Sequence, residues 1–308
     1  MRHSQYLYHA LAYGLAAEVD RPTRHSIPTQ AATALAASGG RGCHRVQDYK
    51  FDRFISLKEA YVEVGGSYDE DHKMHTSYAL SVIEGVNIAD VLTADRVVSR
   101  MFVYASDDHK EEISFDITGS HFDNLRIAGH KVEVKLATHV FHDHDTYSKV
   151  TEAHQKATSD PWLLGSKLEK CTDEELKDLE DKYCALNGIS VLVKEWQNKD
   201  KEKRPSDRGS YLFSPANDFD LKKQIGPSEI LGYGSIICIP KFGVIRLAEL
   251  TVHHHIRSLT MFRVQMCSTG SGASDGGGTS SGGTRPVPPP PMTKPISPPI
   301  TKPTSPPR

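Results

Sequence analysis

The sequence predicts a mainly β protein, an antiparallel sandwich or barrel that carries an α-helical insertion. Apolar and polar residues alternate at 113–118 and 132–137, a pattern typical of strands because successive side chains point to opposite faces. The spacing changes to a helical one at about 146–200, and strand patterns then resume. We therefore predict a single β-rich domain over residues 1–267, followed by a disordered Gly/Ser/Pro-rich tail over residues 268–308.

Composition narrows the class of protein. The chain has 308 residues, of which 38% are hydrophobic and 25% charged, and 37 basic against 39 acidic residues give a formal net charge of −2. Phosphate binding usually needs a basic excess, so no nucleic acid is expected as an obligatory partner. The five cysteines form no Cys-x-x-Cys pair, which argues against a disulfide framework or a structural zinc knot.

Hydropathy gives an expectation for location. No run approaches the roughly 18 apolar residues that span a bilayer, and the first residues lack the apolar core of a secretory signal. We expect no transmembrane segment. A cytoplasmic location is the default expectation, and a surface or secreted location is the alternative.

The first hundred residues read as strands. Residues 6–20 fit a strand of the main sheet better than an amphipathic helix. A polar loop at 68–73 precedes a strand at 78–83, which Glu84-Gly85 is expected to end as a turn. Residues 86–104 carry two apolar sets, which predicts a strand buried on both faces over part of its length.

The middle of the chain changes from strands to helices. Leu125 to His130, with Gly129, predicts a hairpin turn. A helix is predicted over Tyr147 to Lys156. Thr172 and Glu175 form a capping box that starts another helix, and Ile189 to Trp196 is a further helical segment.

Strands resume before the tail. Val244 to His254 and Leu259 to Met266 are predicted to form a hairpin with one dry side. Beyond Cys267, Ser268 to Gly283 is predicted to be flexible, and the proline-rich remainder is predicted to be extended. That proline-rich tail is interpreted as a spacer or as a polyproline ligand that contacts a partner domain.

The histidine-rich corner at His139 to Asp145 is the strongest candidate for chemistry. On an extended backbone His142 and His144 point to the same side, about 6–7 Å apart, as two ligands of one metal would. Asp143 or Asp145 could add a carboxylate ligand or orient an imidazole, and His139 could add a further imidazole. The order resembles the His-x-His-x-Asp motif of metallo-β-lactamase-type hydrolases, although Thr146 stands where their aspartate is expected. The alternative is a set of solvated polar residues at a strand-to-helix junction.

A second histidine group, His253 to His255, lies near the end of the predicted C-terminal hairpin. Whether the two histidine groups meet in space does not follow from the sequence. The chain contains no Gly-x-Ser-x-Gly elbow and no phosphate-binding Gly-x-x-x-x-Gly-Lys-Ser/Thr loop.

One family resemblance is carried by three short runs: Val86 to Ile88, Leu92 to Val97, and Gly119 to Gly129. Their cadence resembles the β-rich domains of bacterial choice-of-anchor surface proteins. The resemblance implies a β-rich bacterial domain, and it brings no catalytic residues with it. Choice-of-anchor proteins are secreted and anchored, whereas this sequence has no evident signal.

Three functions follow as hypotheses. The leading one is a non-enzymatic structural or binding module whose partner is a protein or a glycan, with no cofactor. The rival is a hydrolase-like enzyme that uses a divalent metal, zinc, at His142, His144 and Asp145 with His139. The third, a barrel that binds a small ligand, requires an apolar interior cavity.

Overall fold

The computed structural model describes residues 6–19, 25–107, 112–156, 210–266 and 272–284, and a few positions between 162 and 177. These residues form two antiparallel sheets whose inner faces pack against each other. The predicted mainly β fold class is confirmed, with the sandwich as its form. None of the helices in the described ranges is long and apolar enough to cross a membrane.

The first sheet joins the two ends of the described chain. Its strands are β1 (Leu7–Val19), β2 (His25–Ala34), β11 (Ser210–Phe213), β12 (Leu231–Tyr233), β13 (Ile236–Ile239), β14 (Gly243–His253), β15 (Ile256–Met266) and β16 (Gly272–Thr284). Their order across the sheet is β12-β13-β14-β15-β16-β1-β2, and β11 pairs with β14.

The second sheet comes from the continuous middle of the chain. Its strands are β3 (Gly40–Phe51), β4 (Ile55–Asp69), β5 (Met74–Ile88), β6 (Leu92–Ser106), β7 (Ser114–Asp116), β8 (His121–Asp123), β9 (Arg126–Ile127) and β10 (His130–Lys131). The order is β10-β9-β6-β5-β4-β3, with β7 and β8 also paired to β6. The described α-helices are α1 (Thr138–Asp143), α2 (Tyr147–Lys156) and α3 (Leu221–Ile225).

Small residues allow the two sheets to approach closely. A Cβ atom added to Gly14 on β1 would lie 2.7 Å from the Cβ of Ala60 on β4. The Ser81 hydroxyl on β5 donates a 2.8 Å hydrogen bond to the backbone carbonyl of Tyr13 on β1. The interior between β1 and the second sheet therefore depends on glycine, alanine and serine, because larger side chains would force the sheets apart.

The glycine- and serine-rich segment after Cys267 is not wholly a flexible tail, which corrects the predicted boundary of the domain. Gly272–Thr284 is a strand, and it lies between β1 and β15. A Cβ atom on Gly278 would lie 2.0 Å from the Tyr13 ring on β1. Glycine is needed here because that ring occupies the space of a side chain. Residues 285–308 lie outside the described residues.

Two predicted hairpins are confirmed, and one predicted turn is wrong. Ala128 and Gly129, with φ of 49° and 82°, connect β9 and β10, and β14 pairs with β15 across His254-His255. Gly85 lies within β5, where a positive φ of 61° opposite Lys58 interrupts the pairing with β4. Glycine thus accommodates an irregularity in a continuous strand, and Gly85 does not end it.

The predicted strand at 132–137 is extended chain outside the sheets. Burial alternates over its first five residues, since Val132, Val134 and Leu136 are buried or half-buried and Glu133 and Lys135 are exposed. The backbone amides, however, bond to partners other than a neighbouring strand. The Glu133 amide donates to the side chain of Gln224 at 2.6 Å, and the Ala137 amide donates to the Pro215 carbonyl at 2.9 Å. The apolar alternation in this segment therefore predicted which side chains are buried, but it did not predict whether the backbone pairs with a strand.

The helical insertion is confirmed where the structure describes it. The helix predicted over Tyr147 to Lys156 is α2. Thr172 and Glu175 form both reciprocal bonds of the predicted capping box. The helical segment predicted over Ile189 to Trp196 lies outside the described residues.

Candidate functional site

The predicted histidine corner is helical, so the premise of an extended backbone is wrong. His139 and His142 belong to α1, and His144 follows its last residue. The Asp145 carboxylate accepts a 2.7 Å hydrogen bond from Lys149 one turn along α2. In the part of the chain that is described, no group of three or more His, Cys, Asp or Glu side chains is arranged to hold a metal ion. Metal binding at His142, His144 and Asp145 stays a prediction.

The two histidine-rich segments lie at the same end of the sandwich. The ring of His254 lies 3.8 Å, between centroids, from the ring of Tyr147, which follows Asp145 by two residues. Tyr147 in turn lies 5.7 Å from the Tyr211 ring on β11. The segments therefore meet through an aromatic contact at Tyr147.

Near Tyr147 lies a buried arginine that was not among the candidate residues in the sequence. Arg257 on β15 is only 1% exposed. Its guanidinium donates to the backbone carbonyls of Ile256 at 3.2 Å and Ile113 at 3.3 Å, and it lies 5.4 Å from the centroid of the Phe115 ring. Burial lowers the pKa of Arg257 to about 10, because a buried guanidinium loses hydration.

Two buried polar atoms near Tyr147 lack a hydrogen-bond partner among the described residues. They are the Arg257 Nε and the Tyr211 hydroxyl. Burial, with a contribution from Tyr211, raises the pKa of Tyr147, and a side-chain hydrogen bond with Thr151 and the charge of Arg257 oppose the rise. The Thr151 hydroxyl therefore has Tyr147 as its partner, whereas Tyr211 and Arg257 act on Tyr147 through space. Buried polar groups without a hydrogen-bond partner are rare in native proteins, so each of these atoms needs a structural explanation.

A second candidate surface lies on the outer face of the second sheet. The Tyr78 ring lies across Gly65 on the neighbouring strand, where a Cβ atom would come within 2.2 Å of it. Phe102 is paired with Tyr78 across β5 and β6, with ring centroids 5.5 Å apart and planes 24° apart. Tyr104 continues the row at 6.2 Å and 13°. We call these three rings, together with Tyr61, the aromatic face.

A buried carboxylate fixes one end of the aromatic face. Glu63 accepts hydrogen bonds from the hydroxyls of Tyr61 and Tyr78 and a 2.8 Å bond from Arg41. Burial alone raises the pKa of Glu63, but these three donors outweigh burial and lower it to about 2. Burial and the bond to Glu63 raise the pKa of Tyr78 to about 12. The tyrosine rings are therefore held in one orientation by a charged anchor.

A cation completes the aromatic face. The Arg100 guanidinium carbon lies 4.6 Å from the centroid of the Phe102 ring, whereas the aromatic rings themselves are half-buried. The sequence contains each of these residues, but they come from three strands. Only the register of β4, β5 and β6 brings them together, so sequence reasoning missed the aromatic face.

An open cleft of about 710 Å³ lies beside α3. It is lined by three lysines, Lys135, Lys167 and Lys223, and by three carboxylates, Glu133, Asp218 and Asp220. The charges balance, so this cleft does not indicate the charge of a ligand.

The fold and these sites define a β-sandwich domain with an open aromatic face and a buried arginine, Arg257. The chain belongs to the family described as Domain of unknown function (DUF8256), whose model matches residues 6–253. The match gives no support to the resemblance to choice-of-anchor surface domains. No curated protein and no solved structure gives a significant match.

Proposed function

We propose that this domain is a non-enzymatic binding module and that its aromatic face binds an oligosaccharide. One observation carries the proposal. Tyr78, Phe102 and Tyr104 form a row of nearly parallel, partly exposed rings on a rigid sheet. Aromatic rings that serve only the core are normally enclosed, so a row that reaches the surface favours a binding role.

The chemistry of a sugar ring matches such a row. The face of an aromatic ring is negative, and its edge is positive. The C–H groups on one face of a pyranose are weakly positive and apolar, so they pack on aromatic faces. The centroid spacings of 5.5 and 6.2 Å place consecutive rings within reach of consecutive sugar units.

Polar groups beside the rings suit the hydroxyl groups of a sugar. Arg41 is paired with Glu63 but remains 71% exposed, and Arg100 is exposed beside Phe102. A cation–π contact at an exposed site is worth only about 0.5–1 kcal/mol. Arg100 can therefore leave the Phe102 ring to a ligand and donate hydrogen bonds to that ligand.

A protein partner fits the aromatic face less well. A stable protein interface buries about 800 Å² on each side, with a core from which charges are depleted. Charged pairs lie next to the rings on β3 and β4, Arg41 with Glu63 and Arg45 with Glu59. Protein binding is accordingly the competing outcome of the test.

An array of neutral and acidic oligosaccharides, followed by calorimetry on the full chain, tests the proposal. We expect binding that Phe102→Ala weakens by tenfold or more. Phe54→Ala is the matched control, since Phe54 is also half-buried and has a guanidinium, that of Arg53, 5.5 Å from its ring centroid. Equal losses in both variants, or no oligosaccharide bound, would refute the proposal and favour a protein partner.

Binding of an extracellular oligosaccharide would favour a surface or secreted location over the default cytoplasmic one. The proline-rich tail is retained as a proposed contact for a partner domain. The metal-dependent enzyme is retained as the alternative function, with its test given among the predictions below.

A further inference from the structure

Arg257 carries a buried charge without a hydrogen-bonded counter-charge. No salt bridge joins it to a carboxylate within the described ranges, and its guanidinium donates only to backbone carbonyls. A charge taken out of water is costly unless it is both paired and hydrogen-bonded. Its side chain nevertheless is 1% exposed. Something beyond the described side chains is needed to balance this cation.

Glu112 is the carboxylate that acts electrostatically on Arg257, but it is committed elsewhere. Its two oxygens accept from the backbone amide and the hydroxyl of Ser148 in the first turn of α2, at 2.9 and 2.5 Å. Glu112 is exposed, so water screens its charge. It stabilises the start of α2 and leaves the Nε of Arg257 without an acceptor.

The strand register places Tyr211 and Arg257, whose polar atoms lack a partner, close together. Tyr211 on β11 pairs with Val252 on β14, and Val252 pairs with Arg257 on β15. Paired residues share a face of the sheet, so Tyr211 and Arg257 flank Val252 on one face, about 10 Å apart between Cα atoms. Both side chains are long enough to converge above a valine.

We propose that the Arg257 Nε and the Tyr211 hydroxyl form a binding site for a small oxyanion, a carboxylate or a phosphate group. The Nε of arginine can only donate, and a tyrosine hydroxyl can donate. A ligand that satisfies both must offer several acceptors and should carry negative charge. Hydrogen bonds between an arginine and an oxyanion are also among the stronger ones in proteins.

The site is independent of the proposed sugar-binding surface. It involves β11, β14 and β15, whereas the aromatic face lies on β4, β5 and β6. Failure of either proposal therefore leaves the other unchanged.

Thermal unfolding and calorimetry of the full chain test the proposal, with inorganic phosphate and acetate compared against chloride at equal ionic strength. We expect one of the two oxyanions to raise the melting temperature, and the arm that does so identifies phosphate or carboxylate as the chemistry. Tyr211→Phe should weaken binding of that ion by about three- to tenfold, the usual effect of one lost hydrogen bond.

Tyr211→Phe also distinguishes ligand binding from a change in fold. Because the orphaned hydroxyl disappears, the ion-free variant should be as stable as the wild type or more stable. Tyr49→Phe, which removes a half-buried tyrosine hydroxyl on β3, is the matched control and should keep the full response to the ion. Arg257→Gln should abolish the response altogether.

Two results would overturn the proposal. One is a melting temperature that neither phosphate nor acetate moves relative to chloride. The other is a response to the ion that is the same in wild type and Tyr211→Phe. Either result would mean that Arg257 has a structural role, in which backbone carbonyls and the Phe115 ring stabilise its charge.

Discussion

The hydroxyls of Ser99 on β6 and Thr279 on β16 lie 2.8 Å apart across the sandwich, although 180 residues separate them in the chain. Thr279 is 2% exposed and Ser99 is fully buried. A buried polar pair of this kind is tolerated only when both partners are satisfied. The contact therefore ties the glycine- and serine-rich strand to the opposite sheet as well as to its own.

Removal of β16 should unfold the domain. A chain ending at Cys267 leaves β1–β2 without the strand that joins them to β15, so we expect it to lack a cooperative thermal transition. A chain ending at Thr284 keeps β16 and should unfold at the temperature of the full-length protein. Circular dichroism during heating measures both, and a cooperative transition in the shorter chain would contradict the role assigned to β16.

A side chain added at a single glycine of β16 should also destabilise the domain. Gly278→Val would place a Cβ atom 2.0 Å from the Tyr13 ring, and we expect a loss of about 2–4 kcal/mol in the free energy of unfolding. Tyr13→Ala removes the obstructing ring. The double variant should therefore be less unstable than the sum of the two single variants. Additive losses in urea denaturation would show that the ring is not the obstacle.

Acid should destabilise the domain through Glu63. The carboxyl titrates at about 4.5 when unperturbed and at about 2 when folded, so the unfolded state binds the proton first. Its contribution is fully present above pH 4.5 and is lost as the pH falls towards 2, on the order of 3 kcal/mol in total. The difference in unfolding free energy between wild type and Glu63→Gln should shrink over that window. A constant difference would contradict the lowered pKa.

Cysteine reactivity should separate surface from interior. Cys43 is exposed, and Cys238 is completely buried on β13. Burial raises the pKa of Cys238 to about 12, so little of the reactive thiolate forms at neutral pH. Iodoacetamide followed by peptide mass spectrometry should label Cys43 in the native protein and Cys238 only in guanidinium chloride. Native labelling of Cys238 would mean that β13 opens readily.

Elemental analysis of untagged protein decides the metal hypothesis. Because α1 replaces the extended backbone that would have aligned His142 with His144, we expect any bound zinc to be substoichiometric. Such adventitious metal should be lost with His253→Ala/His255→Ala, since those histidines flank the exposed His254. Stoichiometric zinc that disappears only in His142→Ala/His144→Ala would establish the metal-dependent alternative.

Strands and turns whose structure depends on neighbouring residues alone could be predicted from the sequence. The alternation around Phe115 and Ile117 is matched by their burial, and β7 pairs with β6. The turn at Ala128-Gly129 follows from backbone geometry that few residues accept. Both signals lie within a few residues of the structure that they determine.

Features that depend on distant partners were not predictable. Gly272–Thr284 has the composition of a linker. Its glycines are needed because the Tyr13 ring and the opposite sheet occupy the space that side chains would fill. Arg257 lies between the two strands predicted for the C-terminal hairpin, Val244 to His254 and Leu259 to Met266, yet it pairs with Val252 and is buried. The extended backbone expected at the histidine corner was wrong for another reason, since α1 has only six residues, too few for helical and extended periodicities to be told apart.

The position of β16 also sets the order of events during synthesis. β1 is among the first strands to leave the ribosome, and one of its two neighbours in the sheet is the last described strand of the chain. The first sheet thus remains divided until residue 284 has emerged, although the second sheet is already complete by then. Such late pairing between distant segments is slow and leaves strand edges exposed in the meantime. We expect nascent chains of this protein to depend on protection from aggregation until translation has passed β16.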